Sequence, residues 1–467
     1  MNKTQTAAVL YPMPQVDVER SELQSGSVPP PKPAYILESI ELPTLSTAPQ
    51  SSATSLPSLA SAHYIPAITP GNKRVAVIQF AALCFSLFLI GWGDGSSGPL
   101  LPRIQQVYHV QYAVVALLFV MNCIGYLIGA AMNVYMTDKF GFGKVMVIGA
   151  MAQTIGFAME APAPPFPIMC IAFIFTGWGV ALQAALGVGY VASLKTNAAA
   201  KMGFTQAMYG LGAFCSPLVA TQFAHLHRWS FHYLVSFALG ISNILSLMAA
   251  FRGKTQEECL QAIGEPPAQA STSNDSKYRQ LLRLKTLHLL AFWAILYVGV
   301  EVTIGGWTVT YIIQDRGGGP SAGYISSGFF GGLTLGRVAL LWVNRKVGER
   351  RVLLIYGLLA IALELTIWLV PSLIGNAVAV SIVGMLLGPM FPILMNQSAK
   401  LFPPWLLTGS IGWIAGVGQA GSALLPFLTG ALAAKFGIQS LQPFLIVVMS
   451  LIIIVWLVIP KSHRRED

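Results

Sequence analysis

Two carboxylates lie in long apolar segments, where an ionisable side chain is most able to do chemistry. Asp94 follows the uncharged residues 75–93, and Glu301 lies in YVGVEVTIGGWTVTYI. A charge at the centre of a bilayer costs roughly 2.5–3.5 kcal/mol on insertion scales, so such residues are functional candidates. We predict that both carboxylates exchange protons and contact solute. The alternative for Asp94 is a cap at the outer end of its span.

Glycines surround both acids. They are Gly91, Gly93, Gly95 and Gly98 near Asp94, and Gly305 and Gly306 near Glu301. Interrupted helices near a binding site free backbone groups that can meet solute instead of lipid. We therefore predict that these glycines loosen the two helices.

Three further ionisable residues lie within apolar segments. Glu160 precedes APAPP, so we predict that it is solvated near the outer surface. Arg337 and Glu364 lie about 12 and 19 Å from the inner face at 1.5 Å per residue, which permits a pair. We predict that they form a structural ion pair, with a direct transport role for Arg337 as the alternative.

Aromatic and amide side chains could line a cavity beside the acids. Trp92 and Trp307 each lie near one acid, and aromatic faces can stack on sugar rings or flat organic solutes. Gln183 and Gln419 are amides in apolar segments. We predict that all four line the cavity. Helix packing or an interfacial belt is the alternative for the tryptophans. We expect Asn396 and Gln397 to cap a helix, with contact to substrate as the alternative.

The elements that must position these residues are membrane helices. The chain is 54% hydrophobic and 10% charged, whereas soluble domains carry about 25% charged residues. A helix needs about 20 apolar residues to cross a bilayer. We predict twelve spans, at residues 75–97, 112–136, 145–161, 167–193, 203–224, 231–251, 287–313, 322–343, 352–370, 373–396, 406–434 and 440–459.

The spans divide the chain into two halves. We predict a disordered cytosolic tail (1–72), a six-helix half (73–251), a cytosolic loop (252–286), a second six-helix half (287–460) and a cytosolic tail (461–467). Under this topology the outer connections hold few basic residues, namely Arg103, Arg228, Arg316 and Lys435. Both termini are therefore expected in the cytosol. The net charge of +10 then reflects topology, and no nucleic-acid partner is expected.

The loops carry the motifs of a known family. After the second span comes TDKFGFGK, and after the eighth comes NRKVGERR, preceded by LGR at 335–337. Both resemble the inner-loop signature of the major facilitator superfamily, with Asp138, Lys139, Gly141 and Lys144 at its acidic, basic and glycine positions and Asn344 in place of the second acid. The resemblance implies an all-α fold of two six-helix halves, with these loops latching the inner gate and spans one and seven lining the central cavity.

A narrower resemblance concerns GDGSSGPLLPRIQ and GSIGWIAGVGQAGSALLPFLTG. These segments are similar to fungal facilitators distantly related to fucose-type sugar–proton symporters. Such symporters have an acid in the fourth span that helps proton coupling. Gln183 stands in that span here and cannot carry a proton, which puts a simple transfer of that mechanism in doubt.

Three segments resemble parts of enzyme or metal-binding motifs, but we interpret none of them as such a site. GPSAG matches the serine-hydrolase elbow in letters, but that motif needs a strand–turn–helix setting, and here it joins two spans. FGFGKV lacks the Ser or Thr that must follow the lysine of a phosphate loop. We interpret the histidines of HLHRWSFH as incidental residues of an outer loop. No enzyme activity, cofactor or metal is expected.

The function predicted is secondary transport of a small organic solute by alternating access, coupled to protons. Export of a metabolite is favoured over import of a sugar or nutrient. The alternative from another class is a non-transporting sensor that signals through the N-terminal tail. We expect a multi-pass monomer in the lipid bilayer of the plasma membrane.

Overall fold

The computed structural model describes residues 73–194, 197–265, 283–402 and 404–460, without the side chains of 198, 199, 404, 405, 407 and 408. The predictions for the two tails and for most of the central loop lie outside these residues. The described residues form helices and connecting turns, and none forms a β-strand. The predicted all-α class is confirmed.

Twelve helical segments follow one another along the described chain. We number them α1 (Lys73–Tyr108), α2 (Tyr112–Phe140), α3 (Phe142–Glu160), α4 (Phe166–Ser193), α5 (Ala198–Ala224), α6 (Trp229–Phe251), α7 (Lys285–Asp315), α8 (Pro320–Ala339 and Leu341–Val347), α9 (Glu349–Leu369), α10 (Leu373–Leu401), α11 (Pro404–Gly418 and Gly421–Phe436) and α12 (Ile438–Val458). A short helix, Gln256–Ala262, lies in the central loop and begins with a capping box formed by Thr255 and Glu258.

Most of these helices can span a membrane. Ten are long and apolar enough, and α8 makes an eleventh if its two parts, bent by 52°, count as one span. The remaining segment, α5, is 27 residues long but falls outside that set. The predicted boundaries agree within a few residues, except at the end of α1.

Glycines end α2 and α8 at equivalent places in the two halves. Gly141 has φ = 84° and Gly348 has φ = 91°, a left-handed region that side chains with a Cβ rarely adopt. Each residue also precedes the next helix directly. Gly141 therefore has a structural role in the tight turn between α2 and α3.

The first helix corrects two predictions about Asp94. It continues past the predicted end at residue 97 to Tyr108, with Pro99 and Pro102 inside it. Asp94 therefore lies about 21 Å before the end of α1, and it caps nothing. Nor do the glycines interrupt the helix. A Cβ on Gly91 or Gly95 would collide with the backbone of α5, so these glycines let α1 and α5 pack closely.

We call the end of the bundle that holds Lys73, Gly141 and Pro460 the basic end, and the other the opposite end. Hydrogen bonds that join the two halves concentrate at the opposite end, between Tyr112 and Gln314, between Gln222 and Tyr324, and between His225 and the Pro320 carbonyl. Towards the basic end, a Cβ on Gly189, Gly203, Gly412 or Gly416 would meet open space, as it would on Gly317, Gly319 or Gly437 of the opposite end. The halves are thus joined by hydrogen bonds at the opposite end.

Candidate functional site

A cavity of about 270 Å³ lies between the two halves. Its lining comes from α1, α2, α4 and α5 of the first half and from α7, α8, α10 and α11 of the second. These are equivalent helices, and the other four pack outside them. The charged and amide side chains of the lining are Asp94, Asn122, Gln206, Glu301, Arg337 and Gln419, and hydroxyl groups also line the cavity. Both acids singled out in the sequence therefore face one cavity.

Asp94 reaches the cavity from the middle of α1. Its carboxylate accepts a hydrogen bond of 2.8 Å from the hydroxyl of Tyr209 on α5. The Arg337 guanidinium, on the second half, lies 5.9 Å from the centre of the same tyrosine ring. Tyr209 therefore stands between an acid of one half and a cation of the other.

Glu301, rather than Glu364, pairs with Arg337. Its carboxylate lies 3.8 Å from the Arg337 guanidinium, and the two side chains are 13% and 17% exposed. The predicted pair between Arg337 and Glu364 does not form. Arg337 lies on the side of α8 that faces the cavity and α7, whereas Glu364 is buried beside Gln442 of α12.

The four residues Asp94, Tyr209, Arg337 and Glu301 form a polar line that crosses the boundary between the halves. We call this set the cross-half line. Two carboxylates and one guanidinium give it a net charge of −1 when both acids are ionised. Binding of one proton would make it neutral. The arrangement can therefore exchange a proton without leaving a large charge in the cavity.

Of the four residues predicted to line a cavity, the structure places one, Gln419, in the lining of this cavity. It lies beside Ser422. Trp92 is buried, donates to Ser236 at 2.9 Å and stacks on His232. Trp307 is fully buried and donates to the Pro426 carbonyl at 3.1 Å. Both indole N–H groups are thus used in packing between helices, as the alternative interpretation proposed.

Gln183 also lies away from the cavity, in a neutral network. Its amide oxygen accepts from Ser86 at 2.7 Å and from Asn243 at 2.8 Å, and its amide nitrogen donates to Gln153 at 2.8 Å. Buried polar groups must be paired, and this network pairs the Gln183 amide fully. The residue therefore joins α1, α3, α4 and α6 rather than contacting solute.

Glu160 contradicts its prediction as well, because it is only 1% exposed. Although it ends α3, the chain beyond it is covered: Ser230 donates to the Ala161 carbonyl at 2.7 Å and Tyr108 donates to the Pro164 carbonyl at 2.5 Å. Pro162 and Pro165 of the APAPP turn are exposed, but the turn covers the Glu160 side chain and keeps it from solvent.

The predicted gating residues lie at the basic end. Asp138 and Lys139 are exposed in the last turn of α2. In the part of the chain that the structure describes, Asp138 makes no hydrogen bond or ion pair with residues 345–351. The structure therefore records a state in which the predicted latch is not engaged.

Glu349 is a residue that the sequence analysis missed. Its carboxylate accepts from Asn396 at 2.8 Å, from Gln397 at 2.9 Å and from Lys400 at 3.0 Å. These contacts join the start of α9 to the end of α10. Asn396 and Gln397 thus bind an acid rather than cap a helix. The acid of the second inner loop lies after Gly348, not at the expected position of Asn344.

The chain is similar in sequence to members of one protein family. The family model of the Major Facilitator Superfamily matches residues 83–404 and 308–467. The chain is 24% identical to Bypass of stop codon protein 6 of Saccharomyces cerevisiae over 82% of this chain and 83% of that one. It is 20% identical to the Glucose/mannose transporter GlcP of Bacillus subtilis, over 73% and 85%.

A solved structure has the same fold. The E. coli Fucose:proton symporter superposes with a TM-score of 0.57 and 16% identity, covering 83% of this chain and 99% of that one. At this identity the likeness concerns the fold alone.

Proposed function

Because the chain belongs to the Major Facilitator Superfamily, we propose that it carries a small polyhydroxylated solute across a membrane by alternating access, together with protons. The observation that carries this proposal is the cross-half line. An acid of the first half and an acid of the second are joined, through Tyr209 and Arg337, inside the cavity where the two halves must move relative to each other.

The coupling follows from competition for these groups. A proton on Glu301 weakens its attraction for Arg337, and a proton on Asp94 weakens the hydrogen bond that it accepts from Tyr209. Each event loosens the cross-half line. Solute hydroxyls can then take the freed donors and acceptors. Proton and solute thus bind to one set of groups, and both bias the same movement of the halves.

The lining favours a solute of monosaccharide size. The cavity, at about 270 Å³, lies just below the roughly 300–1,000 Å³ of sites for drug-sized ligands. Carboxylates, amides and hydroxyls suit a molecule with many hydroxyl groups, and the rings of Phe119, Phe173, Phe330 and Phe391 offer apolar faces. The relative GlcP, a glucose and mannose transporter by name, supports this class. We propose that such a solute enters the cell together with protons. The protein would lie in the plasma membrane with its basic end at the cytosolic face.

Transport into proteoliposomes tests the proposal. With an imposed proton gradient, the purified protein should accumulate at least one of a panel of hexoses, pentoses and polyols. A protonophore should abolish accumulation. Binding of amphipathic metabolites, with loss of these metabolites from loaded vesicles against their gradient, would instead support the predicted exporter. Removal of residues 1–72 separates both from the sensor, because a carrier should still move solute without its tail.

A further inference from the structure

A second, smaller cavity lies inside the first half and touches the main cavity at Asp94. Its volume is about 50 Å³, and it is lined by residues of α1, α2, α3, α4 and α6. Asp94 lines both cavities. Glu160 lines only the smaller one, which we call the side pocket. Its other polar lining residues are Ser96, Ser97, Asn122, Gln153, Thr176 and Tyr233.

Glu160 has little in the side pocket to balance a negative charge. It accepts one long hydrogen bond, of 3.5 Å, from Thr176. No Lys, Arg or His is among the described residues that line the pocket. An ionised carboxylate that is buried without a cation is strongly disfavoured, and such a group becomes neutral by taking up a proton. Glu160 therefore holds a proton.

Two buried amide atoms point to water in the same pocket. The Gln153 side chain is fully buried, and its Nε2 donates to no described residue; Asn122 Oδ1 likewise accepts from none of the described groups. A water molecule can accept from the first and donate to the second, which satisfies both. The pocket has room for roughly three to five waters, at about 10–15 Å³ each.

We propose that the side pocket is a second proton site of the carrier, in which Glu160 exchanges its proton with Asp94 through pocket water. The step balances when Asp94 is also protonated: Glu160 and Asp94 each give one proton to the pocket water and each take one from it. Two O–H bonds break and two form, so both carboxyls stay neutral and no unpaired charge enters the pocket. The purpose of the site rests on the proposed function, because Asp94 is the proton-coupling acid of the main cavity.

The groups around Glu160 are consistent with this exchange. On α6, Tyr233 faces Glu160, and the neighbouring His232 contacts Ser96 of the pocket at 2.9 Å. On α1, Asp94 is the other acid of the pocket, and α2, α3 and α4 contribute Asn122, Gln153 and Thr176. Another acid that is buried in the described part of the chain, Glu364, lines neither cavity and serves as a matched control.

Infrared spectroscopy of the reconstituted protein tests the site without any solute. The wild type should show the carbonyl band of buried protonated carboxylic acids. Glu160→Gln should remove one component of that band, and Glu364→Gln should remove another. After transfer to D₂O, the Glu160 component should shift at least about tenfold faster, because Glu364 must wait for local opening of the helix packing. An absent Glu160 component, or one that exchanges no faster than that of Glu364, overturns the proposal.

A second variant guards against misfolding of Glu160→Gln. Asn122→Leu keeps the side-chain size but removes a polar atom of the pocket, so it should slow the deuterium shift of the Glu160 component at least about tenfold. An unchanged rate contradicts exchange through pocket water. Failure of the proposed function can be distinguished from failure of this proposal. In that case none of the hexoses, pentoses and polyols would be transported, while the infrared results would be as expected here.

Discussion

The Tyr209 hydroxyl donates a hydrogen bond of 2.8 Å to Asp94, from a ring that also lies 5.9 Å from Arg337. Tyr209 thus contacts both an acid of its own half and the cation of the other. Under the proposed coupling, its position would carry the effect of protonation at Asp94 to the second half.

Tyr209→Phe should weaken the coupling between proton and solute. Hydrogen bonds to charged groups contribute about 1.5–3 kcal/mol, which corresponds to a tenfold or larger loss in affinity or accumulation. Solute accumulation at a fixed proton gradient is the measurement. Tyr190→Phe is the control, because Tyr190 donates to Gln79 at 2.7 Å, away from both cavities. Equal accumulation in wild type and Tyr209→Phe would contradict the bridging role.

Asp94→Asn and Glu301→Gln keep the shape of each acid but remove its titration. Each should abolish accumulation against a gradient while solute exchange across the membrane stays measurable. The reason is that exchange needs the solute site but no net proton movement. Glu364→Gln is the control and should accumulate normally. Wild-type accumulation in both cavity variants would mean that neither acid couples protons.

Arg337→Gln should destabilise the protein by leaving Glu301 without its cation. The pair is partly exposed, and its N–O distance is 3.8 Å. The loss of unfolding free energy should therefore be smaller than that of a fully buried pair, which is about 3–5 kcal/mol. Adding Glu301→Gln should recover most of the loss. Thermal unfolding in detergent measures both steps. No recovery in the double variant would show that Arg337 acts through contacts other than Glu301.

Asp138→Asn should slow transport without reducing the amount of protein in the membrane. In the structure Asp138 is exposed at the basic end. Its role is expected when that end closes, where it would meet the basic residues 345–351. Transport rate per molecule, with surface labelling of total protein, is the measurement. An unchanged rate at normal abundance would count against a latch.

Tags placed at residues 265 and 461 should report the cytosol, and a tag after Pro164 should report the outside. This outcome follows from the excess of Lys and Arg at the basic end. Protease protection of tagged protein in sealed vesicles is a sufficient measurement. One reversed tag would break the predicted topology while leaving the fold unaffected.

The helices and the candidate acids could be predicted because their signals are local in the chain. An apolar run of sufficient length predicts a membrane helix whatever its neighbours are. A carboxylate within such a run is easily identified as a functional candidate, because its charge costs free energy in the bilayer. The end of α1 was missed because GDGSSGP resembles a turn. Close packing against α5 selects those glycines instead, and packing between distant segments leaves no trace in a single window of sequence.

By itself, the sequence determined the all-α class, the two halves and the two acids of the cavity, since each follows from hydropathy along the chain. Only the tertiary structure decided which side of each helix faces the cavity. A membrane helix is apolar on all sides, so its pattern does not reveal its rotation. Neighbouring helices set that rotation. As a result, Trp92, Trp307 and Gln183 pack between helices instead of lining the cavity. Glu160 is buried beneath a turn. Arg337 pairs with Glu301 rather than with Glu364.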